Sequence, residues 1–539
     1  MALFVPGGPS RYAHQRRGLQ KMIDTGGVTA LLFDPGLGKT ATVLDYASLL
    51  ALKSPTGEAR VLVVCPLAAV DTWVQQAETF ASPQVSVWAE ALGGSLVQRG
   101  DTLAARRGHG PEPASFGHQR SFVKYLKDVD PDAAPAVTDG PQALTAPRLI
   151  LMVANIDTFS SRRTHGSRTI ADHLLKSVAR YAPDLIVVDE SHKIKSAQGN
   201  ASRLLARIAR NVPRRVILTG TVMPHSPMDV FGQWRFLDPY AFGRTNGDGS
   251  LRLATFSDFR NRYAVMGGYM GYQITGYRNL DDMRSVMAKN SCVARKADAL
   301  DLPPTTDVEV PVELGPEEKR AYMQMKKDLA AQLLNTQVVV PNRLTQMMRL
   351  RQITSGYLPD PGNGVNHILG ASKVRTIESI VHDNLAGEKR IVVFALFTQE
   401  IEMLRKRLSR SGTEVMVIQG GTPTADRMAM RKRFGSDDPA RIVLVAQVKT
   451  LSLAVNELVT ANHCIFASLS QQRDDLIQAR DRLNRIGQTR PVTFWYALAP
   501  GTVDTVIMQS HRDRTDLENA MLQHLAEDTT EKEKEKENT

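Results

Sequence analysis

The sequence predicts an α/β fold: two parallel sheets in tandem, each flanked by helices, with a helical protrusion between them. Three observations predict it. Short apolar runs alternate with helical stretches from about residue 10 to 235, and again from about 311 to 510. Residues about 236–310, between the two blocks, carry few clear strands. A glycine-rich loop joins an apolar run to a helical pattern in the first block alone. Alternation of this kind marks strand–helix–strand units, whose strands are covered on both faces and so read as continuous apolar runs. The expected organisation is a first lobe over 1–235, a protrusion or linker over 236–310, a second lobe over 311–510 and a charged tail over 511–539.

In the first block the strand runs are Ala30–Phe33, Val61–Cys65, Leu149–Val153, Leu185–Val188 and Arg215–Leu218. Residues 108–147 are rich in Pro, Gly, Ala and Asp and read as a surface insertion. The protrusion interleaves Tyr263, Tyr269, Tyr272 and Tyr277 with Gly267, Gly268, Gly271 and Gly276. Such a string can stack on bases, but packing within a small protrusion is the expected role. In the second block the strands are Ile391–Ala395, Val415–Ile418, Ile442–Ala446, Cys464–Ala467 and Val492–Ala497. The run Glu531–Glu537 alternates charge with no apolar face, so a frayed helix or disordered tail is expected there.

The loop Asp34-Pro35-Gly36-Leu37-Gly38-Lys39-Thr40 follows an apolar lead-in and precedes the helical Ala41-Thr42-Val43-Leu44. A strand–loop–helix of this kind aims backbone N–H groups and a helix N-terminus at phosphates. Gly36, Leu37, Gly38, Lys39 and Thr40 are the expected phosphate cradle, with Lys39 on the outer phosphates and the Thr40 hydroxyl on magnesium. The strict pattern G-x-x-x-x-G-K-[ST] is not met, because Phe33 stands where its first glycine belongs. Asp189-Glu190 close the run Leu185–Val188. Carboxylates at a parallel strand's C-terminal end can hold magnesium and polarise water. Asp189 is assigned to the metal and Glu190 to the general base for an attacking water. In Gln478–Gln488, Arg482 and Arg485 lie three apart, on one face if helical. Arginines from a second lobe can stabilise charge on a transferring phosphoryl group, so a nucleotide cleft between the lobes is expected.

The chain has 539 residues, a formal net charge of +11 and 42% hydrophobic content. The charge favours a polyanionic partner, and the apolar content supplies large cores. Cys65, Cys292 and Cys464 are far apart and show no metal-ligand spacing, which argues against a disulfide framework and a zinc site. Met1–Gln20 shows no apolar core of signal-peptide type, and no apolar run has spanning length. An intracellular, cytoplasmic or nucleoid-associated protein with no membrane partner is expected.

These strings together resemble the Swi/Snf-type ATPases, DNA translocases of helicase superfamily 2, over about residues 10–510. Arg11–Gln15 resembles the Q motif, and the resemblance gives Gln15 the adenine. Asp34–Thr40 resembles motif I in its helicase form, which lacks the first glycine. Val63–Leu67 with Trp73 resembles motif Ia, and the resemblance places Pro66 and Trp73 on the DNA backbone. Asp189–Lys195 resembles motif II, and Leu218–Thr221 resembles motif III. The resemblance makes His192, Thr219, Gly220, Thr221 and Gln478 couplers of hydrolysis to DNA contact. Leu350–Ile353 and Ser372-Lys373 resemble segments that open the second lobe, and Val392–Phe394 resembles motif IV. Gln478–Gln488 resembles motif VI, whose Arg-Ile-Gly-Gln is distinctive. Motif V departs from the pattern. Lys449–Asn456 keeps Asn456 but lacks the paired glycines that permit close backbone approach, so Lys449 and Asn456 are the expected but least secured DNA contacts.

The resemblance implies two RecA-like lobes, ATP and Mg2+ as cofactors, and a nucleic acid, double-stranded DNA first, as partner. The expected function is ATP-driven, sequence-independent translocation on duplex DNA in repair, recombination, replication or remodelling. Two alternatives stay open: a strand-separating DNA or RNA helicase, and a degenerate ATPase acting as a nucleic-acid-binding module.

Overall fold

The computed structural model describes residues 11–513 apart from 96–97, 100–101, 104–146, 161–163, 166–167, 225, 246, 269–270, 272, 300–301, 335–339, 361–364, 410–412 and 452–456. All but Pro147 of the insertion expected at 108–147, and most of the tail, therefore lie outside the described residues. The chain divides into two compact units, Met1–Asp301 and Leu302–Thr539.

The first unit is built on a sheet of seven strands: β1 (Val28–Phe33), β2 (Glu58–Cys65), β3 (Ser86–Ala91), β4 (Arg148–Asn155), β5 (Leu185–Asp189), β6 (Arg214–Leu218) and β7 (Ser291–Ala294). The spatial order is β7-β1-β6-β5-β2-β4-β3, and every pair is parallel. Alternate residues feed two apolar layers. Leu31, Val61, Val63, Leu151, Val187 and Leu218 face one. Ala30, Leu62, Val64, Ile150, Val188 and Ile217 face the other. Period-2 side chains that are apolar on both faces are what a sheet sandwiched by helices requires. Helices α1 (Ala13–Asp24), α2 (Lys39–Lys53) and α3 (Val70–Phe80) cover one face. The helix α4 (Val230–Leu237) packs in the opposite layer.

Residues 236–310 are mixed rather than purely helical. Two short antiparallel hairpins, Arg244–Thr245 with Leu251–Arg252 and Ala264–Gly267 with Gln273–Tyr277, accompany helices Phe256–Tyr263 and Leu280–Lys289. Tyr263 packs against Phe259 and Phe242 at ring-centroid distances of 4.8 and 5.7 Å and donates a 2.6 Å hydrogen bond to Asp282. That residue of the aromatic–glycine string serves packing. The chain then returns to the first sheet, where β7 pairs with β1.

The second unit carries six parallel strands: β8 (Thr305–Pro311), β9 (Arg390–Ala395), β10 (Glu414–Ile418), β11 (Ile442–Gln447), β12 (His463–Phe466) and β13 (Val492–Leu498), in the order β8-β13-β12-β9-β11-β10. It too has an apolar layer on each face. Val392, Phe394, Leu444 and Phe466 lie on one side, and Ile391, Val393, Val443 and Ile465 on the other. All three cysteines are free thiols.

Candidate nucleotide site

The strand order explains how distant motifs meet. β1, β6, β5 and β2 are adjacent and parallel, so their C-terminal ends open on one edge of the sheet. Motif I leaves β1, motif III leaves β6, motif II ends β5 and motif Ia ends β2. Ligands in open α/β sheets bind beyond the carboxyl ends of the strands, where the strand order reverses.

The loop after β1 turns twice through backbone conformations open to glycine, with φ of 85° at Gly36 and 78° at Gly38. Gly38 caps α2 without a side chain, so the first N–H groups of that helix have no side-chain cap. Lys39 and Thr40 are the first two residues of α2. Nζ of Lys39 donates to the Phe33 carbonyl at 2.8 Å, across the loop it closes. Beneath the loop, Nε2 of Gln15 donates to the Leu37 carbonyl at 3.1 Å, and Nε2 of His14 lies 2.8 Å from the same oxygen. Oε1 of Gln15 accepts from the Tyr12 N–H at 3.1 Å. The Q-motif glutamine thus sits directly against the phosphate loop. Arg11 anchors this segment by pairing with buried Asp45 of α2 at 2.7 Å.

Gly220 of motif III lies against the other side of the loop. A Cβ there would stand 2.8 Å from Cδ of Pro35. Asp34 is tied to the sheet edge, its carboxylate accepting from the Lys296 N–H at 2.9 Å.

Asp189 and Glu190 project at the end of β5. Glu190 takes a left-handed backbone conformation, with φ 49°, a conformation that costs a non-glycine residue about 1–3 kcal/mol. Its own N–H donates to Asp189 at 2.9 Å. The second oxygen of Asp189 accepts from Nε1 of Trp73 at 2.9 Å. Burial above all, then the neighbouring Glu190 charge, pushes the Asp189 carboxyl up to about 6, against opposing contributions from Trp73 and Lys39. The Lys39 ammonium is therefore within electrostatic reach of the motif II carboxylate.

Nδ1 of His192 lies 3.3 Å from Oε2 of Glu190 and 3.4 Å from Oγ1 of Thr219. The Thr219 hydroxyl in turn accepts from the Thr221 N–H at 3.0 Å. A continuous polar path thus runs from the candidate base through His192 to motif III. A second path was not read from the sequence. Ser191 donates to Oε1 of Gln233 at 2.7 Å, and Nε2 of Gln233 donates to the carbonyls of Val222 and Asp229 at 2.7 and 2.9 Å. Ser191 and Gln233 are fully buried. An amide in the largely apolar helix Val-Phe-Gly-Gln-Trp-Arg-Phe-Leu was the available signal.

One expected DNA contact is corrected. Trp73 is 1% exposed and packs in the first unit's core, with its indole N–H on Asp189. It has no surface to offer a duplex. Pro66 follows β2 beside Leu67, which is 68% exposed, so the accessible part of motif Ia is this turn.

In the second unit, Gln478 and Arg482 lie on α5 (Arg473–Leu483). The helix ends at Leu483, so Arg485 sits in the following turn and does not share a helical face with Arg482. Burial lowers the Arg485 guanidinium below its ordinary range, opposed by Asp481 and Glu457. Gln488 staples that turn, donating to the carbonyls of Ala461 and Leu483 and accepting from the N–H groups of Thr489 and Arg490. Ser372-Lys373 and Leu350–Ile353 serve this unit's interior, where Lys373 pairs with Asp504 at 2.7 Å and Thr354 donates to the same carboxylate. Lys449 begins to be described only as part of the short helix Val448–Leu451, and Asn456 lies outside the described residues. The basic runs of the second block are largely ion-paired: Arg405 with Glu402, Arg407 with Glu378, Arg431 with Glu457 and Arg433 with Glu414.

The SNF2-related domain matches residues 151–356, and the helicase conserved C-terminal domain matches residues 372–487. The chain belongs to the Swi/Snf-type branch of helicase superfamily 2. The SNF2-related match takes in motifs II and III, and the helicase C-terminal match takes in motif IV and motif VI as far as Gly487. Motif I, upstream of both, is joined to motifs II and III by the strand order and by the Gly220–Pro35 approach. The DNA annealing helicase and endonuclease ZRANB3 of Bos taurus is 24% identical over 349 residues, 63% of this chain and 30% of that protein. The SWI/SNF-related matrix-associated actin-dependent regulator of chromatin subfamily A-like protein 1 of Xenopus tropicalis is 22% identical over 73% of this chain and 38% of its own length. The chromodomain-helicase-DNA-binding protein 1-like of Danio rerio is 25% identical over 88% of this chain and 40% of its own. The chain thus spans well under half the length of these Swi/Snf relatives. Among the described residues, no helix is long and apolar enough to cross a membrane.

Proposed function

We propose that this protein is a DNA-dependent ATPase that translocates on double-stranded DNA without reading its sequence. The observation that carries the reading is the convergence of Lys39, Asp189, Glu190 and Thr219 beyond the ends of three adjacent parallel strands, β1, β6 and β5.

The donor set fits magnesium. Among the described residues no group of three or more His, Cys, Asp or Glu gathers, and Mg2+ in phosphoryl-transfer sites uses one or two carboxylates together with substrate phosphates. Asp189 and the Thr40 hydroxyl would hold it, and its charge would neutralise the phosphates. Lys39 exchanges its bond to the Phe33 carbonyl for the outer phosphates. Glu190 takes the proton of the attacking water, with His192 orienting its carboxylate. Gln15 holds the adenine edge. Arg482 and Arg485 are the proposed source of positive charge on the transferring phosphoryl group. Thr219, Gly220 and Thr221 carry the change at Glu190 away from the site through His192.

The +11 charge favours a polyanionic partner, and relatives whose names denote DNA and chromatin proteins favour DNA as that partner. Phosphate contacts carry no base information, so binding is expected to be sequence-independent and to weaken steeply with salt. Steady-state ATPase activity of the full chain, alone and with single-stranded DNA, duplex DNA or duplex RNA, tests the reading. Stimulation by duplex DNA is the expected result. Stimulation mainly by single strands or RNA would replace it with the helicase reading, and no turnover under any condition would refute an ATPase.

A further inference from the structure

We infer that Trp73 is a positioning residue for Asp189, fixing the carboxylate plane that receives the metal–nucleotide. The inference deepens the ATPase reading and rests on it.

The geometry is a two-sided clamp. One carboxylate oxygen of Asp189 accepts from the Glu190 N–H and the other from the Trp73 indole, both at 2.9 Å. The Glu190 donor is part of the backbone at the strand end, its N–H bonded to the preceding side chain. The Trp73 donor is set by packing. The indole body is enclosed by the layer that includes Val61, Val63, Leu185 and Val187, so only its N–H end reaches the polar strand end. A carboxylate oxygen accepts more than one hydrogen bond. Each oxygen therefore keeps capacity after the clamp is made, while rotation about the Cβ–Cγ bond would break both bonds.

The clamp also ties two motifs together. Trp73 stands on α3, which follows directly from the turn at Pro66 and exposed Leu67. A shift of that turn moves α3 and with it the donor on Asp189. The signal was present in the sequence only as a tryptophan near motif Ia, and the resemblance assigned it to DNA.

The test uses Trp73→Phe, which keeps an aromatic body and removes the donor, in the full chain. Affinity for a mant-labelled, non-hydrolysable ATP analogue is measured with MgCl2 and with EDTA. Affinity for duplex DNA is measured without nucleotide. The expected result is a roughly tenfold loss of the Mg2+-dependent gain in nucleotide affinity, in line with one hydrogen bond to a charged group. Affinity in EDTA and DNA affinity should be unchanged. An unchanged Mg2+ gain, an equal loss in EDTA, or a loss of DNA affinity in its place would overturn the inference. If Trp73→Phe fails to fold, site-specific replacement by benzothienylalanine keeps the bicyclic shape and exchanges only N–H for sulfur, and the same outcomes apply. Wild-type protein that binds no nucleotide would instead refute the ATPase reading itself.

Discussion

Gly38 and Gln15 meet so closely that a Cβ at position 38 would lie 2.1 Å from Nε2 of Gln15. Gln15 cannot swing aside freely, because its amide is bonded to Tyr12 on one side and Leu37 on the other. Gly38 also holds φ at 78°. Gly38→Ala should therefore cost about 1–2 kcal/mol for the backbone alone and displace the glutamine. We expect a fall of several degrees in Tm and at least a tenfold loss of ATP affinity, read by scanning calorimetry and by nucleotide titration. Wild-type affinity in this variant would separate Gln15 from the nucleotide.

Lys39→Ala should reduce turnover by a factor on the order of a hundred or more, since it removes a positive charge aimed at the phosphates. Its bond in the structure is to the Phe33 carbonyl, a single part-buried contact whose loss should change Tm little. ATPase rate and Tm measured together distinguish the two effects. Unchanged turnover would discard the phosphate-loop assignment.

Glu190→Gln keeps size and removes the base. The variant should bind ATP in Mg2+ as tightly as wild type and hydrolyse it at least a hundredfold more slowly, seen in single-turnover assays as trapped nucleotide. Normal hydrolysis would assign the base elsewhere.

The pH profile has a defined sign. Asp189 is raised to about 6 by burial and Glu190, so its negative charge is lost as pH falls through that value. The apparent Mg2+ affinity should decline below about pH 6. Saturating Mg2+, which favours the ionised form, should shift the acid limb of kcat/KM to lower pH. An acid limb that does not move with Mg2+ would detach it from Asp189.

Two arginines of motif VI should separate cleanly. Arg480 pairs with Asp307 and Tyr496 and lies 4.2 Å from the centroid of the Phe494 ring. Arg480→Ala should therefore lower the stability of the second unit by about 1–3 kcal/mol. Arg485→Ala should cut kcat at least a hundredfold with little change in nucleotide affinity. Urea denaturation together with kcat and KM checks both, and a KM effect alone at Arg485 would place it in binding.

The strands inside each sheet were legible because burial on both faces forces continuous apolar sequence. Leu185–Val188 and Ile391–Ala395 read as strands for that reason and proved to be central. Three of the four edge strands did not read. Ser86–Ala91 is only partly buried along its length, and Thr305–Pro311 alternates exposed and half-buried positions. Ser291–Ala294 joins the first sheet from within a stretch that looks irregular. An edge strand needs apolar residues on less of its surface, so its identity is decided by the partner it pairs with.

Sequence by itself singled out the groups proposed to carry the chemistry. Gly36 to Thr40, Asp189-Glu190 and the motif VI arginines are recognised because phosphate, metal and proton transfer demand those residue types at those spacings. Tertiary structure alone decided who touches whom. It set Gln15 under Gly38, ran His192 from Glu190 to Thr219, buried Gln233 between motifs II and III, and turned Trp73 inward onto Asp189. It also ended α5 before Arg485. The physical reason is that spacing along a chain constrains neighbours within one element, whereas contacts across a parallel sheet depend on strand order and register, which no local stretch of residues encodes.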